Sequence, residues 1–535
     1  MEPTFHDALS MFAASVQAGP ADTAIRYFDG EISFAELDSL SDAFAVGLRD
    51  QGAGPGERVA IYLQNVPQFV IALLGTWKIG AVAVAINPMS RSRELTYQLG
   101  DSGAVTLICL ESLYDSVARE VVPSSSVRVI ITTSELDHQS RNDERLFAGV
   151  ARARHDGTLD MGEILRERAG EKPEPVPVSG SDIAVLTYTS GTTGPPKGAM
   201  TTHANMTFNA QIYRDWMDLT PDDVVLGVAP LFHITGMIGH VSVALLARMP
   251  LVLAYRFDAG VVLDAIREHR PTFTVGSITV FTALLNAPGV SREDFSSFRV
   301  LYSGGAPISP TAARGVKDKT GLTLHNIYGL TETTSPSHAV PLEADTPVDP
   351  MSGALSVGVP VPSTVVRIVD EDGNDVKPGD IGELVTEGPQ LVAGYWNKPE
   401  ETANAIRDGR FFTGDVGFMD ADGWFYVVDR KKDQINVSGY KVWPREVEDV
   451  LAEHPAVREA AVVGVADEYR GETVKAFVSL VPGATVRTEE LIEHCKARMA
   501  AYKYPREIEL VDELPKTVTG KILRRELRDA PATPA

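Results

Sequence analysis

The sequence predicts an α/β protein: a large N-terminal domain made of βαβ subdomains plus a β-rich subdomain, followed by a small α+β C-terminal domain. Three observations carry this expectation. Apolar β-like runs alternate with helical patterns through the first half, as parallel strands joined by crossover helices require. From 356 to 429 the pattern changes to short β segments broken by Asp372-Gly373, Pro378-Gly379 and Asp422-Gly423, which are turn dipeptides. After Lys432 the order becomes helix, strand, strand, helix, enough for one small sheet. The boundaries that follow are 1–431, with the β-rich part over about 340–431, and 432–535. A chain of 535 residues also exceeds what one core of roughly 50–250 residues organises, so at least two packed units are expected.

In chain order, 59–62 reads as a strand, 69–79 as a helix, 82–85 as a strand, 93–99 as a helix and 105–110 as a strand. A polar, acidic interval over 124–174 predicts a loop-rich excursion. The alternation returns at 183–186 and again over 224–329, where 300–302 and 324–327 are strands that end in chemistry-bearing loops. Ligands sit at the carboxyl ends of strands in such sheets. Beyond 432, a helix is expected at 444–452, strands at 460–465 and 474–480, and a helix presenting Leu491, Ile492, Cys495 and Met499 on one face. The Pro/Ala-rich end, 528–535, reads as a frayed tail.

Composition narrows the function. The formal net charge is −23, from 49 basic and 72 acidic residues, which argues against nucleic acid as a partner. Two cysteines, Cys109 and Cys495, exclude a disulfide framework and fit a reducing, cytoplasmic setting. No signal peptide is legible at the N-terminus. The longest apolar stretches are interrupted, by Gln64, Asn65, Pro67, Gln68 and Lys78 in one case and by Arg248 and Pro250 in the other, so no integral span is expected. Peripheral membrane contact is left open, as is the choice between monomer and homodimer.

The richest chemistry lies in the segment Tyr188-Thr189-Ser190-Gly191-Thr192-Thr193-Gly194-Pro195-Pro196-Lys197-Gly198. Glycines let backbone N–H groups converge on an anion, hydroxyls donate to it, and Lys197 adds a point charge, so the loop reads as a polyphosphate cradle. It is not a Walker loop, because Lys197 is followed by Gly198 rather than by Ser or Thr. Pro230-Leu231-Phe232-His233, Ser303-Gly304-Gly305-Ala306-Pro307, Tyr328-Gly329-Leu330-Thr331-Glu332, Thr413-Gly414-Asp415, Asp429-Arg430-Lys431-Lys432-Asp433 and Pro515-Lys516-Thr517-Val518-Thr519-Gly520-Lys521 follow in order. With them the chain resembles, from about Phe28 to Arg525, the adenylate-forming superfamily: acyl-CoA synthetases, adenylation domains of peptide synthetases and beetle luciferases.

The resemblance implies a two-step reaction. A carboxylate attacks the α-phosphorus of ATP to give acyl-AMP and pyrophosphate, and the thiol of CoA then takes the acyl group. It assigns Lys521 as the cation of the first step, Glu332 as the Mg²⁺ ligand and Thr331 as the α-phosphate contact. Thr189, Ser190, Gly191, Thr192, Thr193, Gly194 and Lys197 would hold the phosphates. Gly305, Ala306 and Pro307 would wall the adenine, with Tyr328 stacking on it, Gly329 beside it and Asn326 near its amine. Asp415 would accept the ribose hydroxyls, assisted by Arg430. Lys432 matches the hinge about which the C-terminal domain turns, and Ser438, Gly439 and Lys441 the face that then guides CoA.

For the acid, the resemblance is more divided. Amino-acid-activating relatives carry an aspartate where this chain has His233, so an ammonium partner is missing; His233 is therefore grouped with both the catalytic set and the acyl pocket. Acetate-activating relatives close the pocket with a tryptophan at the place of Gly329. Thr235, Gly236 and Ser277 complete the expected pocket, and the run 273–286 is most similar to fatty-acid–CoA ligases. A medium- to long-chain or branched aliphatic acid is the expected substrate. Aryl acids, a carrier protein in place of CoA, and a nucleotide-binding pseudoenzyme are the alternatives.

Overall fold

The helix Pro67–Lys78 is buried on every side from Pro67 to Trp77, and its position explains the large domain. A helix apolar all round must lie between layers. Its residues share one apolar cluster with Val59 and Ile61 from one sheet and with Ile25, Phe273, Val275 and Tyr302 from another. The computed structural model describes residues 2–189, 195–350, 353–438, 440–467, 470–517 and 521–528.

The first sheet has seven strands in the order Leu159–Asp160, Val129–Thr133, Thr106–Leu110, Arg58–Tyr62, Val82–Ala85, Ile183–Thr189, Lys197–Thr202. All its pairings are parallel except the last, a hairpin with Thr189 opposite Lys197. Tyr188, Thr189, Lys197 and Gly198, from the segment expected to cradle phosphate, are therefore paired strand residues of a β-hairpin. The polar interval 124–174 is loop over most of its length, as expected, and also supplies a strand, Val129–Thr133, and a helix, Met161–Glu167. Ile131 is fully buried beside polar Thr132 and Thr133, so sheet pairing overrides the polar composition of this stretch.

The second sheet has nine strands. Its parallel centre includes Phe273–Gly276, Val300–Ser303 and Leu324–Leu330. A five-stranded, antiparallel sheet over Val365–Val369, Gly382–Glu387, Ile406–Arg407, Arg410–Met419 and Phe425–Arg430 follows. After a short turn at Lys431–Asp433, the last sheet pairs Val457–Asp467 with Gly471–Leu480 over their length. The helices Pro444–Ala452 and Thr488–Lys496 cover one face of it through Val447, Leu451, Leu491 and Cys495. Cys109 is fully buried in its strand. Among the described residues, no helix is long and apolar enough to cross a membrane.

Candidate active site

A cavity of about 1160 Å³ opens at the carboxyl ends of the parallel strands and runs into the cleft against the C-terminal unit. A cavity for one small molecule measures roughly 300–1,000 Å³, so this one has room for two substrates together. Asp415 lies on its wall, 3% exposed. Residues directly opposite across two antiparallel strands bring it to Arg430, whose Nε is 2.5 Å from Asp415 Oδ1. The Tyr328 hydroxyl donates to Asp415 Oδ2 at 2.5 Å. Burial and then the charge of Asp415 push that phenol well above its usual range, so it stays a donor. The carboxylate is held on both oxygens, and its orientation is fixed before any ligand arrives.

Asn326 Nδ2 donates to the Ser356 carbonyl at 2.8 Å, which leaves Oδ1 as an acceptor on the cavity wall. Gly305, at φ +77°, Ala306 and Pro307 follow the strand Val300–Ser303 and line the same space. Thr331 and Glu332 form a tight turn at the end of Leu324–Leu330 and also line it. Thr189 and Lys197 stand at the two ends of the hairpin and reach the cavity. Ser190, Gly191, Thr192, Thr193 and Gly194 lie outside the described residues.

Lys521 reaches this wall from the C-terminal unit. Burial, then the neighbouring Arg430, lowers its ammonium to about 8, partly opposed by Asp415. His233 accepts from the Thr235 N–H through Nδ1 at 3.3 Å. Burial, reinforced by Lys521, lowers it to about 4, so near neutrality it is an uncharged imidazole.

The seam between the two units is polar and bonded. Arg524 reaches Glu448 at 2.7 Å, Asp429 at 3.1 Å and Asp433 at 3.6 Å. Asp429 Oδ2 also accepts the Arg445 backbone N–H at 2.9 Å, in the first turn of the helix Pro444–Ala452. A carboxylate there complements the positive end of the helix dipole. Arg445 in turn donates to the Ile308 carbonyl at 3.3 Å, behind the adenine wall expected at Gly305–Pro307. Arg524 and Asp429 were not singled out from sequence as seam residues, because spacing does not reveal a contact formed by two separately folded units.

Other expected residues fall elsewhere. Ser438 and Lys441 lie outside the cavity lining; Lys441 points outward and pairs with Glu371 at 3.5 Å. Gly439 is outside the described residues. Lys432 is in the turn between the two units. Thr235 and Gly329 line the cavity, whereas Gly236 and Ser277 do not. A Cβ at Gly236 would sit 2.2 Å from the Pro230 carbonyl oxygen, so this glycine answers to packing. A Cβ at Gly329 would meet the Ser335 carbonyl oxygen at 1.8 Å, so with this hairpin backbone the glycine also answers to packing. The Ser277 hydroxyl shares a 2.6 Å hydrogen bond with Thr279 Oγ1.

The sequence agrees with what this geometry suggests. The AMP-binding enzyme family matches residues 12–396, and the AMP-binding enzyme C-terminal domain matches 446–521. This chain belongs to the AMP-binding enzyme family. Among the relatives of this AMP-binding enzyme, the long-chain-fatty-acid–CoA ligase of Bacillus subtilis (strain 168) is 38% identical over 531 residues, covering 97% of this chain and 93% of the relative. A feruloyl-CoA synthase of an Amycolatopsis species is 37% identical, covering 95% of this chain and 96% of that one. An anthranilate CoA ligase solved with anthranoyl-AMP superposes with a TM-score of 0.88 at 28% identity, over 98% of this chain and 97% of that one.

Proposed function

We propose that this AMP-forming acyl-CoA ligase activates a medium- to long-chain, linear or branched aliphatic acid as acyl-AMP, with release of pyrophosphate, and then passes the acyl group to CoA. The observation that carries the reading is the convergence of Lys521, Glu332, Tyr328, Asp415 and Thr331 on one cavity. Asp415, already oriented by Tyr328 and Arg430, accepts the ribose hydroxyls. Asn326 Oδ1 accepts from the adenine amine, and Tyr328 and the Gly305–Pro307 wall enclose the base. Thr331 and Lys521 face the phosphoryl group, where negative charge gathers during transfer and fixed donors contribute most.

Glu332 fits Mg²⁺. It forms no ion pair with a Lys or Arg among the described residues, and no cluster of three or more His, Cys, Asp or Glu side chains able to hold a metal is found among them. One carboxylate plus substrate phosphates is how Mg²⁺ is commonly held. Bound there, the cation would neutralise phosphate charge. Lys432 serves as the hinge, dividing 1–431 from 432–535, and rotation there brings Ser438, Gly439 and Lys441 to the cleft for the thiol step. The long-chain name of the Bacillus relative supports the aliphatic acid, as does an open cavity bordered by Phe232, Ile234 and Pro336. Each buried methylene contributes up to about 0.8 kcal/mol. We place the enzyme in the cytoplasm, as monomer or homodimer, free of nucleic acid.

The feruloyl-CoA synthase relative favours aryl acids as the second reading. Pyrophosphate release from ATP with acetate, butyrate, octanoate, palmitate, benzoate, coumarate and mixed amino acids, each with and without CoA, separates them. Turnover that rises with aliphatic chain length and needs CoA is expected. A preference for aryl acids installs the second reading, and indifference to CoA points to a carrier protein as acceptor.

A further inference from the structure

Tyr395 was not among the residues that the sequence pattern picked out, yet it stands between two that were. It is 7% exposed and lines the cavity. Its hydroxyl donates to Glu332 Oε1 at 2.7 Å. Its ring lies under the Lys197 ammonium, 4.9 Å from Nζ to the centroid. The backbone around it is fastened on both sides. Met200 N–H donates to the Gly394 carbonyl at 2.9 Å and Trp396 N–H to the Gly198 carbonyl at 2.8 Å, while Val392 N–H donates to the Glu332 carbonyl at 3.0 Å. Tyr395 N–H is held by Thr402 Oγ1 at 2.9 Å. One short segment therefore ties the strand that begins at Lys197 to the turn that carries Glu332.

We infer that Tyr395 is a positioning residue that holds the Glu332 carboxylate and the Lys197 ammonium apart, and presents both to the terminal phosphates of ATP and their divalent cation. The inference rests on the assignment of Glu332 to Mg²⁺ made above. The physical need is plain. A lysine and a glutamate converging on one phosphate site attract each other, and a direct ion pair would quench both. Here they form no ion pair among the described residues. The aromatic face gives the ammonium an alternative partner, and the hydroxyl occupies Oε1, so that Oε2 is left for a metal. Partners that orient a metal ligand without touching the metal commonly contribute roughly 10–100-fold in metal affinity.

The test is calorimetric binding of AMP-PNP with and without Mg²⁺, and of AMP, to the full-length wild type, Tyr395→Phe, Tyr395→Leu and Glu332→Gln. Phenylalanine keeps the ring and loses the hydroxyl. Tyr395→Phe is expected to lose roughly 10-fold or more of the gain in AMP-PNP affinity that Mg²⁺ gives, with AMP affinity unchanged; kinetically, the Mg²⁺ requirement rises while kcat at saturating Mg²⁺ holds. Tyr395→Leu is expected also to weaken metal-free AMP-PNP binding, because Lys197 loses its ring. A wild-type Mg²⁺ gain in Tyr395→Phe, with the gain abolished in Glu332→Gln, overturns the role of Tyr395 alone. A wild-type gain in Glu332→Gln overturns the assignment of Glu332 first, and this inference with it.

Discussion

Lys521 and Lys441 belong to the same small C-terminal unit and are surrounded in opposite ways. Lys521 is drawn into the cleft, with Arg430 and Asp415 acting on it. The Lys441 side chain is 62% exposed, and its partner Glu371 is 84% exposed. An exposed pair of that kind contributes little to holding the unit in place. The seam on the Lys521 side is held instead by Arg524, 17% exposed among three carboxylates. The structure thus turns Lys521 into the cavity and leaves Lys441 on the exposed surface.

The largest effect that would break this contrast is Arg524→Met. Removing one partner of a buried ionic cluster costs about 3–5 kcal/mol, and denaturant unfolding should register it together with loss of ATP–pyrophosphate exchange. A loss within 0.5 kcal/mol would mean that the seam is held by something else. Next, Lys521→Ala is expected to slow ATP–pyrophosphate exchange by roughly 10²–10³, while thioester formation from preformed acyl-AMP and CoA persists. Lys441→Ala should show the mirror image. Loss of a charge-assisted contact worth about 1.5–3 kcal/mol slows the thioester step and spares the exchange. Equal slowing of both steps by either variant would erase the distinction between the two faces.

The smallest effect is on pH. The Lys521 ammonium titrates near 8 in the folded protein against about 10.4 in an unfolded chain. Adenylation should fall as pH rises through about 8, roughly tenfold per unit once the ammonium is lost. Stability should move the other way. Between those two values the unfolded chain binds more protons, so the contribution of this site to folding stability rises with pH. Paired pH profiles of exchange rate and melting temperature, compared with Lys521→Met, test both signs; a flat exchange profile up to pH 10 would remove Lys521 as the titrating cation.

Much of this was legible because periodicity reports local burial. The runs 59–62, 82–85 and 105–110 are strands in the structure, at Arg58–Tyr62, Val82–Ala85 and Thr106–Leu110, since a parallel strand buried on both faces reads as an apolar run. The resemblance put Asp415 and Arg430 together at the ribose, but their ion pair depends on the register of two strands, which sequence spacing does not reveal. Tyr395 escaped for the same reason: its partners are 63 and 198 positions away in the chain. Gly236 shows a different limit: it was expected to line the acyl pocket, and the structure packs it against the Pro230 carbonyl. A glycine makes room for a ligand or for a neighbouring carbonyl, and composition alone cannot tell which.

The pairing of Thr23–Tyr27 with Leu251–Leu253 at one side of the nine-stranded sheet has a consequence for synthesis. The hairpin of Thr23–Tyr27 with Gly30–Ser33 can form as soon as it leaves the ribosome, but its parallel neighbour follows roughly 10–45 s later at ordinary elongation rates. Until then one edge of the newborn hairpin presents unpaired backbone groups, and the seven-stranded sheet, completed by Thr202, is assembled beside it first. A nascent chain stalled before Leu251 should therefore be protease-sensitive at its beginning and resistant in its middle.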